Sequence, residues 1–254
     1  MRVKDKVVVV TGGASGIGRA LARRFAADGA KHVVVADLDG TGAAAVAKEI
    51  HGSSTQIDVS NEAEIQALIE ATERDHGPIA LFCSNAGIGI GRGIDTSDAV
   101  WQKIWEVNLM SHVYAARNLI PLMVKRGGGY LLNTASAAGL LSQIGSVTYA
   151  VTKHAAVALA EWLSITHGHE GIKVSVLCPQ AVRTAMTAGN EQGVASVDGM
   201  LEPEQVADTV TQALDEERFL VLPHPEVAEY IKRKTADYDR WLTGMRRLAA
   251  QYRG

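Results

Sequence analysis

The sequence has few cysteines, no excess of positive charge and no long apolar run. Two cysteines cannot build a framework of disulfide bonds, and Cys83 and Cys178 stand in apolar runs typical of a buried core. Lys and Arg number 25 against 28 Asp and Glu, so nucleic acid is not an expected partner. No apolar run reaches the length of a membrane span, and the run Val7–Val10 is too short for a signal peptide. We therefore expect a cytoplasmic protein with no membrane partner.

Glycine is abundant in this chain, whereas proline is scarce. The 25 glycines and 6 prolines follow no regular period, which excludes a collagen-like chain. Such glycines serve positions where the backbone turns sharply or approaches another group closely. The length of 254 residues, 47% of them hydrophobic, lies near the upper limit for one hydrophobic core. We therefore expect a single domain over residues 1–254.

Short apolar runs alternate with segments of helical periodicity. The predicted strands are Lys6–Val10, His32–Ala36, Thr55–Ile57, Ile79–Ser84, Gly129–Thr134, Lys173–Leu177 and Phe219–Leu222. The predicted helices are Ile17–Asp28, Gly42–Ile50, Glu62–Asp75, Asp98–Lys125, Thr148–His167 and Pro203–Glu216. Several strands are almost entirely apolar, which is typical of strands buried on both faces. The sequence therefore predicts a Rossmann-type, doubly wound α/β fold, a seven-stranded parallel sheet with helices on both faces.

Two segments interrupt this alternation. Residues 181–201 combine weak periodicity with small side chains, which indicates a long loop that closes over a substrate. Residues 225–254 place apolar residues at helical spacing from Val227 to Leu248. This spacing predicts one amphipathic C-terminal helix that packs on the body of the protein or on another subunit.

The first predicted strand leads through a glycine-rich turn into a helix. In the segment TGGASGIG, Gly12, Gly16 and Gly18 allow a tight turn and a close approach of the backbone to a ligand. The N-terminus of the following helix carries a partial positive charge, which favours a pyrophosphate. A glycine turn alone is weak evidence for nucleotide binding.

An acidic residue closes the second predicted strand, 19 residues after Gly18. Asp37 can accept hydrogen bonds from the ribose hydroxyls of an adenine dinucleotide, whereas a 2′-phosphate would meet a carboxylate there. Asp37 thus favours NAD over NADP, although a solvated turn residue is an alternative, and Arg19 could instead meet a phosphate. Asp58 ends the third strand and could receive the adenine amino group or serve as an ordinary turn residue.

Four polar residues follow between positions 108 and 153. Tyr149 and Lys153 are four residues apart at the start of a predicted helix and share one face. Ser136 lies 13 residues before Tyr149, and Asn108 lies in the preceding long helix. A tyrosine and a lysine at this spacing carry little meaning alone. The whole series, from TGGASGIG through CSNAG, Asn108 and Ser136 to YAVTK and CPQAVRT, resembles the short-chain dehydrogenase/reductase family over nearly the entire chain.

The resemblance implies an oxidoreductase that transfers hydride between NAD and a secondary alcohol or ketone. Tyr149 would take the hydroxyl proton as general base, and the charges of Lys153 and the nicotinamide ring would lower its pKa. Lys153 would also bind the nicotinamide ribose, and Ser136 would position the substrate oxygen. Asn108 would hold a water that relays protons. In the reductive direction Tyr149 would act as the acid.

The resemblance also implies a cofactor site and an assembly. The expected cofactor residues are Gly12, Ser15, Gly16, Ile17, Gly18, Asp37, Leu38, Asp58, Val59, Asn85, Ala86, Gly87, Tyr149, Lys153, Pro179, Val182 and Thr184. A homotetramer or dimer would be built on the helices Asp98–Lys125 and Thr148–His167. No metal is expected, because His167 and His169 have no evident third ligand.

One residue departs from the family's pattern. Gln180 follows Pro179 where the family usually has glycine, so its amide could recognise a polar substrate group or face solvent. The expected substrate residues are Ser136, Ala138, Gln143, Gln180 and Met186. Most residues of the expected pocket are apolar or small, with Arg92 the one clear cation among them. This composition favours a lipophilic secondary alcohol or ketone over an anionic substrate.

Two other functions remain open from the sequence. One is a carbonyl reductase that prefers NADPH. The other is a catalytically silent NAD-binding regulatory protein on the same fold. The intact set of Asn108, Ser136, Tyr149 and Lys153 counts against the silent protein, which would not need these residues.

Overall fold

A parallel sheet of seven strands forms the centre of the protein in a computed structural model that describes residues 1–189 and 191–252. The strands are β1 Val7–Thr11, β2 His32–Asp37, β3 Ser53–Gln56, β4 Ile79–Ser84, β5 Gly129–Thr134, β6 Ile172–Leu177 and β7 Leu220–Val221. Their order across the sheet is β3-β2-β1-β4-β5-β6-β7. The order reverses between β1 and β4, and in such sheets a ligand crevice forms beyond the carboxyl ends of the strands at this point. The predicted fold class is confirmed.

Helices cover both faces of this sheet. They are α1 Gly16–Ala27, α2 Gly40–Glu49, α3 Glu62–Asp75, α4 Asp98–Trp105, α5 Ser111–Lys125, α6 Val147–His167, α7 Pro203–Asp215, α8 Glu226–Ala236 and α9 Tyr238–Gln251. Alternate residues of β1 enter two separate cores: Val7 and Val9 pack with residues of α3, α5 and α6, whereas Val8 and Val10 pack with residues of α1, α2 and α7. Both faces of the strand are therefore buried, which explains its apolar sequence.

The strand at one edge of the sheet begins earlier than predicted. The prediction was Thr55–Ile57, whereas β3 pairs with β2 from Ser53, which lies opposite Val34, to Gln56, which lies opposite Asp37. Its residues are polar and only partly buried, because an edge strand needs no continuous apolar run. Hydropathy alone therefore located the strand but not its ends.

The long helix predicted over Asp98–Lys125 is interrupted. A π-helical turn, Glu106–Met110, separates α4 from α5 and has Asn108 at its centre. The Asn108 amide is fully buried, accepting from Ile88 N at 2.8 Å and donating to Ile88 O at 2.9 Å. Wider turns of this kind occur often at functional sites.

The single C-terminal helix predicted over residues 225–254 is wrong. The tail forms two helices, α8 and α9, because Asp237 between them has an extended backbone. The Asp237 carboxylate accepts a hydrogen bond from Arg240 N at 2.9 Å and so caps the start of α9. Residues 253 and 254 of that prediction lie outside the described residues.

The segment 181–201 is a long loop whose two ends lie together. Val182 pairs with Leu201, and Arg183 N donates to Leu201 O at 2.9 Å. One short helical turn, Val194–Ser196, is present within it, and residue 190 of the predicted loop lies outside the described residues. None of the helices that the structure describes is both long and apolar enough to span a bilayer.

Candidate active site

The glycine-rich turn joins β1 to α1 at the centre of the sheet. Gly12 and Gly16 adopt left-handed backbone angles, with φ +65° and +51°. A Cβ on Gly18 would lie 2.1 Å from Gly12 O, so only glycine fits there. Ser15 stands at the N-cap of α1 with an extended backbone, and Ile17 lies in the first helical turn. The first N–H groups of α1 therefore remain available for an anion at the crevice.

The segment after β4 supports this turn. Thr11 Oγ1 accepts hydrogen bonds from Asn85 N at 3.0 Å and Ala86 N at 3.2 Å, and Asn85 Nδ2 donates to Thr11 O at 3.1 Å. A Cβ on Gly12 would lie 2.8 Å from Ala86 Cα. Asn85 and Ala86 thus follow β4 at the crevice, and their contacts hold the glycine turn in place.

A carboxylate stands beside the turn at the end of β2. Asp37 Oδ2 accepts from Ala14 N, and Oδ1 accepts from Asp39 N, both at 2.9 Å. No ion pair to Asp37 is present among the described residues. The adjacent Leu38 is 66% exposed and free to cover a planar group. This environment suits a ribose diol and would repel a 2′-phosphate.

Asp58, at the next strand end, is engaged within its own loop. Its Oδ1 accepts from Ser60 N and Ser60 Oγ, and its Oδ2 lies 3.3 Å from Lys103 Nζ. The hydrogen bond from the Ser60 hydroxyl, together with Lys103, lowers the pKa of Asp58. Val59 beside it is buried. The carboxylate is therefore ionised. Ser60 and Lys103 hold it in place just beyond the carboxyl end of β3.

Three predicted catalytic residues meet at the ends of β5 and β6. Lys153, in the second turn of α6, donates from Nζ to Thr134 O at 2.9 Å and lies 5.7 Å from the Tyr149 ring centroid. Ser136 Oγ donates to Pro179 O at 3.3 Å and accepts from Ala138 N at 3.1 Å. Residues that follow β5 and β6 therefore lie close to residues of α6.

Burial sets the protonation of the Tyr149 and Lys153 side chains. Burial raises the pKa of Tyr149, and the nearby Ser136 hydroxyl only partly opposes this rise. Burial lowers the pKa of Lys153 to about 8. The expectation that the Lys153 charge lowers the tyrosine pKa is therefore not met in the protein alone. Desolvation disfavours the charged form of both groups, and the sequence alone does not show how deeply either side chain is buried.

Asn108 and Lys153 face each other across a glycine. A Cβ on Gly87 would lie 3.4 Å from both Asn108 Oδ1 and Lys153 Nζ. Asn108 Nδ2 also lies 3.3 Å from Thr152 Oγ1. The π-helical turn thus brings the Asn108 amide beside the lysine, where a chain of hydrogen bonds to solvent can begin.

The residues predicted after β6 lie next to the glycine turn. Pro179 O accepts hydrogen bonds from Ser136 Oγ at 3.3 Å and Ala137 N at 2.9 Å. A Cβ on Gly16 would lie 3.0 Å from Thr184 Cγ2, and Val182, two residues before Thr184, is buried. Both halves of the sheet therefore contribute to one crevice.

Gln180 has a buried partner that the sequence did not reveal. Gln180 N donates to His224 Nδ1 at 3.2 Å. Because Nδ1 accepts this bond, the neutral His224 ring carries its proton on Nε2. His224 Nε2 and Gln180 Oε1 are both buried, and neither has a partner within the described residues. Gln180 is thus not an outward, solvated side chain, and no spacing in the sequence links two residues so far apart.

His112 is a second buried residue that sequence reasoning missed. Its side chain on α5 is 1% exposed, and neither ring nitrogen has a partner in the described part of the chain. Burial, with a smaller contribution from the Lys153 charge, lowers the pKa of His112 to about 3. The ring is therefore neutral near Lys153. The sequence offers no signal for this, because a histidine within an apolar helix reads as core.

The remaining predicted substrate residues fall on different walls. Ala138 is buried behind Ser136, whereas Met186 is 51% exposed and lies close to Gly89. Gln143 instead lines a groove beside the tail helix α9. Ser136 is therefore hydrogen-bonded to Ala138 and to Pro179, the residue before Gln180, whereas Gln143 lies toward α9.

The two unpaired cysteines and the histidines supply no metal centre in the part of the chain that the structure describes. Cys83 and Cys178 are fully buried in the core, as predicted, and burial raises the pKa of Cys178 to about 12. His167 bonds to Glu170 at the end of α6.

Comparisons with known proteins agree with this geometry. The family model described as short chain dehydrogenase matches residues 6–195. The chain is 34% identical to 1-deoxy-11-beta-hydroxypentalenate dehydrogenase of Streptomyces exfoliatus, covering 89% of this chain and 86% of that protein. It is 33% identical to meso-2,3-butanediol dehydrogenase of Serratia marcescens, over 82% and 86% of the two chains.

Solved structures give the same result. A short-chain dehydrogenase/reductase from Burkholderia phymatum, in complex with NAD, superimposes with a TM-score of 0.85 at 29% identity, over 94% of this chain and 96% of that one. A 7 alpha-hydroxysteroid dehydrogenase complexed with NADH and 7-oxo glycochenodeoxycholic acid gives 0.80 at 26% identity, over 87% and 93%. From its motifs, its fold and the match over most of its length, the chain belongs to the short-chain dehydrogenase family.

Proposed function

We propose that this protein is an NAD-dependent oxidoreductase that interconverts a secondary alcohol and its ketone. The observation that carries the proposal is the meeting of Ser136, Tyr149 and Lys153 beside the glycine turn. Hydroxypentalenate and butanediol dehydrogenases among its relatives act on substrates of this chemical kind. A silent binding protein would not need these three side chains in one crevice.

The crevice fits NAD. Gly12, Gly16 and Gly18 leave room for a pyrophosphate against the N-terminus of α1, and Asp37 offers carboxylate oxygens to a ribose diol. Lys153 lies where a second ribose would be held, near the end of β5. When bound, NAD supplies the hydride acceptor, and the protein orients it.

The chain's own residues then handle the proton. Ser136 Oγ directs the substrate oxygen toward Tyr149. The Tyr149 phenolate then accepts the proton of the alcohol as the carbonyl forms. Lys153 and Asn108 lie behind the tyrosine, and we assign them the path by which that proton leaves toward solvent. Because burial raises the pKa of Tyr149, an added positive charge in the crevice is needed to favour the phenolate at neutral pH.

The choice of coenzyme tests the role of Asp37. We expect the protein to bind NADH more tightly than NADPH. Asp37→Ser should weaken NADH binding and reduce the ratio of the two affinities by about tenfold or more. Fluorescence titration of both coenzymes measures this, with Asp39→Ser as control, because Asp39 follows β2 and caps α2. Equal affinity of the unchanged protein for both coenzymes would overturn the assignment.

We further propose a lipophilic substrate that Gln180 helps to recognise. The buried, unpartnered Gln180 Oε1 and His224 Nε2 offer an acceptor and a donor close to Pro179. We test this with a panel of secondary alcohols, with turnover followed by NADH absorbance. Gln180→Gly should change the ratio of kcat/KM for polar alcohols to kcat/KM for apolar alcohols by about tenfold. Unchanged kcat/KM across the whole panel would contradict this role for Gln180. Substrate recognition would then rest on apolar contacts with Met186 and Ala138.

The assembly and the location are also proposals. Exposed apolar residues Trp105, Trp162 and Ile165 lie on α4 and α6, which supports a homodimer or homotetramer built on these helices. We propose the cytoplasm as the location, consistent with two buried cysteines that form no disulfide bond.

A further inference from the structure

An apolar groove separates the loop after Gly139 from the C-terminal helix α9. Its volume is about 410 Å³, which lies within the range of small-molecule sites. Leu141 and Ile144 line it from the loop, and Trp241 and Met245 line it from α9. No residue of α9 is fully buried, so the apolar face of this helix is not filled by the protein's own core.

The same groove carries positive charge and no acidic side chain. Lys234 and Arg246 line it, whereas no Asp or Glu among the described residues does. Lys234 Nζ already donates to Leu140 O at 2.7 Å and Leu141 O at 3.2 Å. Arg246 has no hydrogen bond or ion pair with any described residue, so its guanidinium is available to an anion.

The groove borders the segment that joins Ser136 to Tyr149. Its inner wall belongs to the segment that runs from Ser136, through the turn Ala137–Gly139, to Tyr149. The two hydrogen bonds of Lys234 fix the end of α8 to this segment. A molecule in the groove therefore lies against the loop that positions the reacting groups.

We propose that this groove binds the remote end of the substrate, an apolar skeleton that ends in a carboxylate or a comparable anion paired with Arg246. The inference rests on the proposed dehydrogenase function, since it assigns the groove to that reaction's substrate. An apolar wall buries the skeleton, and a guanidinium binds a carboxylate through two parallel hydrogen bonds. The sequence favoured an uncharged substrate because Arg246 is far along the chain from the predicted pocket.

Binding of laurate tests the groove without any turnover. We expect laurate to bind the intact protein and quench Trp241 fluorescence, and Arg246→Gln to weaken its binding about tenfold. Arg247→Gln is the matched control, because this neighbouring arginine does not line the groove. Neither variant should change the binding of 1-dodecanol. Absence of laurate binding, or equal effects of the two variants, would overturn the proposal, and absence combined with altered sedimentation of Arg246→Gln would assign the groove to a second copy of the chain.

A matched pair of alcohols tests the link to catalysis. Lithocholic acid is a secondary alcohol with a remote carboxylate, and its methyl ester lacks the charge. Arg246→Gln should raise KM about tenfold for the acid and leave that of the ester and both kcat values unchanged. Equal KM changes for acid and ester would overturn the assignment to the substrate. If the unchanged protein oxidised neither compound, the proposed reaction would fail for this substrate class, while the laurate titration would still decide whether the groove binds an anion.

Discussion

Lys153 is a lysine in a place that disfavours its charge. It is 2% exposed, and its pKa falls to about 8 from the ordinary 10.5. Below pH 8 both the folded and the unfolded chain hold the proton, so the cost of burying the charge is fully present. Between pH 8 and 10.5 only the unfolded chain keeps it, and the free energy of unfolding rises with pH. The protein therefore gives up stability to keep this residue beside Tyr149.

Replacing this lysine should stabilise the protein while removing its activity. A shift of this size corresponds to about 3 kcal/mol, and loss of the hydrogen bond to Thr134 O costs about 1 kcal/mol. Lys153→Met should thus raise the free energy of unfolding by about 2 kcal/mol at pH 7, measured by urea denaturation. The gain should shrink by pH 10.

An exposed lysine provides the control for that experiment. Lys48→Met, on the surface of α2, should change the free energy of unfolding by less than about 0.5 kcal/mol at either pH. A Lys153→Met protein that is less stable than the parent at pH 7, with Lys48→Met neutral, would show that the lysine's contacts outweigh the cost of burying its charge.

Elements with strong periodicity were predicted well, and their interruptions were not. The helix over Glu62–Asp75 was predicted with its correct ends because Asn61 caps it and its apolar residues recur regularly. The π-helical turn around Asn108 has no such signal: it is held by two hydrogen bonds to Ile88, a residue on another segment. The break at Asp237 could have been found, since aspartate is a common helix N-cap.

The exposed face of α6 carries the prediction about assembly. Trp162 and Ile165 are 56% and 82% exposed, which is unusual for such large apolar residues on a long central helix. Ile165→Asp should shift the protein toward the monomer by at least tenfold in dissociation constant, measured by analytical ultracentrifugation. Ile94→Asp is the control, because Ile94 is equally exposed but lies in a loop. Identical sedimentation of the parent and Ile165→Asp would contradict an interface on this helix.

At the scale of the whole molecule, the sequence predicted the sheet, its helices and the crevice at its centre. Apolar runs and glycine turns are local features, so each could be interpreted from its own segment. The groove beside α9 and the contact between Gln180 and His224 depend on segments that meet only after folding. The same holds for Lys234, whose carbonyl partners Leu140 and Leu141 stand more than ninety residues earlier.

The proposed reaction depends most on the deprotonated Tyr149 side chain, which takes the substrate proton. Tyr149→Phe removes the Tyr149 hydroxyl and keeps the ring, so kcat for alcohol oxidation should fall by about 10²–10⁴-fold. NADH affinity should fall far less than kcat, because the glycine turn and the N-terminus of α1 are unchanged. Tyr114→Phe, on α5 outside the site, is the matched control and should retain activity.

The most direct measurement is therefore single-turnover oxidation of a good secondary alcohol by the Tyr149→Phe protein with NAD in excess, read as NADH absorbance. We expect a rate about a hundredfold or more below that of the Tyr114→Phe control at pH 7. A rate for Tyr149→Phe equal to the control, with normal NADH binding, would contradict the assignment of Tyr149 as the acid–base group.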